Sequence, residues 1–141
     1  MLDRILSVGP GYRLTALKNV SVEPWSPGSA GCQAALPNAL VLESMTQAAG
    51  ALAWFMELGD ENPLTEGRRQ SISGLLAGID HCRIHGCAAP GDQLILKARL
   101  GRRKAGFGRF HCRAEVAGKP IGRAEIALRS EDATWSGSKN G

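Results

Sequence analysis

Aromatic residues make up only 5% of this 141-residue chain, and histidine is confined to His81, His85 and His111. No stretch approaches the ~20 uncharged apolar residues that a membrane-spanning helix needs, so no span and no membrane association is expected. The opening "MLDRILSV" interrupts its apolar residues with Asp3 and Arg4, and it does not read as a signal peptide. A cytoplasmic location is the expectation. Internal repeats are absent from the sequence, and the length suits one compact domain with a single core. We expect that domain over residues 1–129, followed by a polar, disordered tail over 130–141.

Four cysteines, Cys32, Cys82, Cys87 and Cys112, are expected to be reduced thiols in a chain without a leader. The run "HCRIHGC" suggests a metal site from His81, Cys82, His85 and Cys87. The surrounding alternation says strand instead. On a strand the two histidines stand about 13 Å apart, too far to converge on one ion. No metal and no cofactor is expected.

What the chain does have is glycine, 18 in all, mostly at turn positions, which points to short strands joined by tight turns. It also has a net charge of +4, with Arg102, Arg103, Lys104, Arg109 and Arg113 gathered in "GRRKAGFGRFHCR". The plain reading is a solvated strand face; the functional one is a docking surface for an acidic or phosphate-bearing partner. Phe107 and Phe110 are the patch's only aromatics and no nucleic-acid module is visible, so nucleic acid is not the expected partner.

Along the chain, "DRILSVGPGYRLTALKNVSV" reads as two strands around the turn Gly9-Pro10-Gly11. A Pro- and Gly-rich loop runs from about Pro24 to Pro37. A helix is expected from near Asn38, a plausible N-cap, to Leu58, with Gly59 as its stop. Leu40, Val41, Leu42, Met45, Ala48, Ala49, Leu52, Phe55 and Met56 surround most of its circumference. Glu43, Gln47, Gly50, Trp54 and Glu57 fall in one narrow open stripe. A helix enclosed except along one seam is what a curled sheet produces, and the seam is left for a ligand or a partner subunit. From "DQLILKARL" onward the alternation is that of half-buried antiparallel strands, which makes the class α+β.

The order of these elements resembles the hot-dog fold, and the motifs resemble the 3-hydroxyacyl-acyl-carrier-protein dehydratases of fatty acid synthesis. The matching pieces are "LDRILSVGPGYRLTALKNVS", "LPNALVLESMTQAAGALA", "LAGIDHCRIHGCAAPGDQLIL" and "FGRFHCRAEVAGKPIGRAEI", in the family's order. The resemblance implies a single hot-dog domain, with a long central helix wrapped by a curved antiparallel sheet. It also implies a dimer whose sheets pair edge to edge, with acyl chains on an acyl carrier protein or CoA entering a tunnel between protomers. A loop histidine of one subunit would take the C2 proton, and a helix glutamate of the other would help the C3 hydroxyl leave. Amides at the helix start would polarise the thioester carbonyl.

Carried over residue by residue, the glutamate is Glu43, with Gln47 one turn later, and Gly28, Asn38 and Ala39 frame the acyl-thioester site. The family's loop reads Gly-His-Phe-Pro-Gly; here the histidine position is Ser29, followed by Ala30, Gly31 and Cys32. Asn38 replaces the glycine after Pro37. The family also carries an N-terminal Pro-His-Arg segment with no counterpart here, read as a late start codon or a real loss. An unactivated serine is no general base near neutral pH, and losing such a base costs ~10²–10⁴-fold in rate.

Three readings follow. One is dehydratase-type chemistry in fatty acid or polyketide-like metabolism, impaired alone or completed by a related hot-dog subunit. The second is a thioesterase using Glu43 and water. The third is a non-catalytic accessory subunit that binds acyl chains or carrier protein. The plainer alternative for Glu43 is a seam carboxylate paired with a nearby arginine. Homodimer, heterodimer and higher oligomer all remain open. Because acyl carrier proteins are acidic, Arg102, Arg103, Lys104 and Arg109 are the expected docking residues, with Arg83 and Arg113 beside them.

Overall fold

A computed structural model describes residues 2–21, 35–58, 74–104 and 106–130 of the chain. Two strands, β1 (Arg4–Gly9) and β2 (Arg13–Asn19), precede one helix, α1 (Asn38–Leu58). Four long strands follow: β3 (Gly74–Ile84), β4 (Gln93–Lys104), β5 (Phe107–Val116) and β6 (Lys119–Ser130). All pair antiparallel in a single six-stranded sheet of order β1-β2-β4-β5-β6-β3. The expected tail and the loop carrying Gly28 and Ser29 lie outside the described residues.

The hairpins close where the sequence supplies left-handed backbone. Gly11 and Tyr12 have φ of 78° and 54° between β1 and β2. The β5–β6 turn is the two-residue Ala117-Gly118, with φ of 50° and 78°, a geometry that matches the twist of the flanking strands. Before β4, Asp92 closes its own turn: its Oδ2 accepts from the Ala89 N–H at 2.8 Å.

Helix α1 lies across the sheet, chiefly over β4 and β5. Val41, Met45, Ala48, Ala49 and Leu52 are buried at helical spacing. They meet Leu14 and Ala16 of β2, Leu94, Leu96 and Ala98 of β4, Phe110, Cys112 and Ala114 of β5, and Ala124 and Ile126 of β6. The fully buried Ala48 and Ala49 let the helix backbone sit close to the sheet. Ser44, buried mid-helix, is satisfied locally, its Oγ donating to Leu40 O at 2.7 Å. No helix among the described residues is long and apolar enough to cross a membrane.

Three expectations need correction. Asn38 is not the N-cap: the amides of Leu40 and Val41 both donate to Pro37 O, at 2.9 and 3.2 Å, so Asn38 is already the first helical residue. Proline does this readily because its fixed φ suits a helix entrance. The even alternation expected through "HCRIHGC" is broken by a bulge between Asp80 and Arg83, where His81 takes a φ of 50°. The strand then ends at Ile84, and His85 lies against Pro120 O at 3.0 Å. The cysteines are not all thiols. Cys82 and Cys112 are free, whereas Cys87 is disulfide-bonded. The reduced-thiol expectation rested on compartment alone, and chain geometry had no part in it.

Candidate active site

The open stripe of α1 forms one wall of a cavity of about 440 Å³. Glu43, Gln47, Gly50 and Trp54 come from the helix, and Leu76 and Leu128 face them from β3 and β6. This is within the size range of small-molecule sites. Gly50 adds no side chain, and nothing lies within 4 Å of where its Cβ would stand, so it leaves the middle of the seam open. Trp54 forms the apolar end, held edge-on by Phe55 with ring centroids 5.3 Å apart.

Glu43 is exposed in the single chain and is held, among the described residues, by its contact with Gln47. Gln47 Nε2 donates to Glu43 Oε1 at 3.4 Å, and Gln47 Oε1 accepts from the Leu2 N–H at 3.0 Å. The amide is thereby oriented, oxygen toward the N-terminal segment and nitrogen toward the carboxylate. Among the described residues no arginine or lysine forms an ion pair with Glu43.

One turn earlier, the helix start offers two backbone donors. Leu40 and Val41 bond Pro37 O, which leaves the N–H groups of Asn38 and Ala39 without a backbone acceptor among the described residues. Both residues are exposed, and the first turn carries no acidic side chain to cap them. Partial positive charge at that end suits a developing oxyanion. Glu43, Gln47, Asn38 and Ala39 thus share the first three turns of one helix. Gly28 and Ser29 lie outside the described residues.

Sequence reasoning missed the far wall. Arg129 lines the same cavity from β6. Only the register of β6 against β3, where Arg129 stands opposite Leu75, brings it there.

The expected docking residues separate by face. Arg102 stands opposite Arg109 and Lys104 opposite Phe107, on the sheet face away from α1, while Arg103 is half-buried. Arg109 is already engaged, with NH1 3.1 Å from Glu125 Oε2 and NH2 3.3 Å from Asp80 Oδ2. Arg102 and Lys104 remain exposed at the end of β4.

Strand β3 is a sheet edge, eleven residues long, with Leu75, Leu76 and Ile79 exposed. A long apolar edge is a template for pairing with another strand. Leu76 also lines the cavity, so whatever pairs with β3 lies next to the site.

Residues 1–125 match the FabA-like domain family. The chain is 35% identical over 127 residues to the 3-hydroxyacyl-[acyl-carrier-protein] dehydratase FabZ of Shewanella baltica, covering 89% of this chain and 79% of that protein. The Shewanella oneidensis FabZ aligns with the same identity and coverage. Among solved structures, the dehydratase heterocomplex ApeI:P from Xenorhabdus doucetiae superposes with a TM-score of 0.70 at 20% identity, over 94% of this chain and 84% of that one. A hypothetical thioesterase protein with coenzyme A from Streptococcus pneumoniae superposes at 0.68 and 8% identity, over 92% and 89%. At these identities the structural likenesses establish the fold, one hot-dog domain.

Proposed function

The chain belongs to the FabA-like domain family, and from that premise we propose that it binds acyl thioesters of a carrier protein and acts on 3-hydroxyacyl groups as a dehydratase-type lyase. The observation that carries this reading is the seam cavity, where Glu43 is oriented by Gln47 and lies along one helix from two amides that have no backbone acceptor among the described residues. In the reaction the C2–H and C3–O bonds break, a C2–C3 double bond forms, and the hydroxyl leaves as water. Asn38 N–H and Ala39 N–H polarise the thioester carbonyl, which acidifies the C2 proton. Glu43 assists the departing hydroxyl. A base at C2 completes the cycle, and the aligned loop position holds Ser29 in place of histidine. The protein is therefore slow by itself, or is completed by a related hot-dog subunit paired along β3 that brings the histidine.

The same departure favours a second reading. A thioesterase needs only Glu43, a water and the helix-start amides, and it has no requirement for the missing imidazole. Incubation with 3-hydroxyacyl and saturated acyl thioesters, read by mass spectrometry, separates the two. Enoyl product supports the dehydratase, and free acid with released thiol supports the thioesterase. Neither product, with carrier-protein binding intact, replaces both with an accessory role.

A further inference from the structure

A groove of about 800 Å³ lies on the sheet face turned away from α1. Arg13, Lys97, Arg99, Arg113 and Arg123 line it. They come from four different strands, and strand register sets them side by side. Lys97 stands opposite Arg113, Arg113 opposite Arg123, and Arg123 opposite Arg83, an unbroken cationic row across β4, β5, β6 and β3. In the next row Arg13 stands opposite Arg99, and Arg99 opposite His111. Neighbouring strands are about 4.8 Å apart and alternate residues on one strand about 6.7 Å, so both rows fit a patch the size of a small molecule.

Like charges directly opposite on a sheet are destabilising. The protein offsets them only in part. Glu115 reaches Lys97 at 3.1 Å and Arg113 at 3.6 Å, and Glu125 serves Arg109 and His111. The side chains of Arg13, Arg99 and Arg123 have no ion pair among the described residues. The rim is shaped as well. His111 occupies the space above Gly101, where any Cβ would collide with the imidazole, and the strained His81 closes the β3 side.

We propose that this groove is a binding site for a small polyphosphate, a ligand whose linked phosphates span the two cationic rows. Guanidinium forks match phosphate oxygens in bidentate pairs, and a multiply charged chain neutralises neighbouring rows at once. Among the described residues the groove is lined by no Phe, Tyr or Trp, and only the imidazoles of His81 and His111 give single-stranded nucleic acid a ring to stack on. A second copy of this face would set cations against cations. The site is separate from the seam cavity, which lies on the other side of the sheet.

The test is binding of inorganic tripolyphosphate and of ATP to the full chain, by calorimetry and thermal denaturation, at an ionic strength held constant with sodium chloride. Tm should rise with tripolyphosphate concentration. Arg123→Gln should melt at or above the unliganded wild type, because crowding is relieved. It should bind about tenfold more weakly, the loss of one charge-assisted hydrogen-bonding partner. Tighter binding of ATP than of tripolyphosphate assigns the ligand to the nucleotides, and equal or weaker binding assigns it to inorganic chains. No rise in Tm, or undiminished binding by Arg123→Gln, overturns the proposal. Duplex DNA or carrier protein binding in an Arg123-dependent way while tripolyphosphate does not would also overturn it.

Discussion

At the scale of single residues, the site rests on a short relay in which the Leu2 amide fixes Gln47 and Gln47 fixes Glu43. Glu43→Gln keeps the side chain's size and removes its acid–base capacity, so product formation should fall by ~10²–10⁴-fold, measured as initial rates on a thioester substrate. Gln47→Met removes both hydrogen bonds at similar length. It should lower kcat about tenfold with KM nearly unchanged, as expected when a group worth about 1–1.5 kcal/mol of orientation is lost. A different residue tests the core. Burial pushes the Cys112 thiol up to about 12 from its ordinary 9.0. The folded state therefore keeps the proton between those values while the unfolded chain loses it. The contribution is fully present below pH 9 and drains away as pH rises toward 12, by at most about 1.4 kcal/mol per pH unit. Cys112→Ala should flatten the fall of Tm with pH over that window. In the native protein at pH 8, iodoacetamide should label Cys82 and spare Cys112, as peptide mass spectrometry would show.

At the scale of elements, the helix and the strand faces were legible, and the edges and register were not. The helix bounds were read from Asn38 as the start signal and Gly59 as the stop, and the open stripe became the cavity wall because Gly50 and Gln47 do not fill it. The alternation in β4, β5 and β6 assigned the buried faces correctly, since each strand has one wet side. Helix entry was displaced by one residue because a proline carbonyl, not an asparagine side chain, accepts the first bonds. The bulge at His81 depends on the pairing of β3 with β6, distant in sequence, and the cationic rows depend on register across several strands, which the alternation within one strand does not encode. Strand β3 yields a direct test. If it is the pairing edge, Ile79→Lys should turn a dimer into a monomer by light scattering, with the far-UV spectrum preserved. In the core, Met45→Ala should cost about 2–5 kcal/mol in denaturant unfolding, because a fully buried side chain is replaced by a cavity.

At the scale of the whole molecule, one sheet separates two environments. One face carries the helix, the apolar core and the seam with Glu43; the other carries cations in rows. The chain belongs to a family with relatives named 3-hydroxyacyl-[acyl-carrier-protein] dehydratase FabZ; its helix carries Glu43, and its sequence has Ser29 where the resemblance puts the loop histidine. The central claim is that the rest of the site is intact and lacks only a base. The direct measurement is the rate of enoyl-thioester formation by Ser29→His, compared with wild type and with the double variant Ser29→His, Glu43→Gln. The account predicts a gain of ~10²-fold or more over wild type that disappears in the double variant. No gain, or a gain that survives the loss of Glu43, would contradict it.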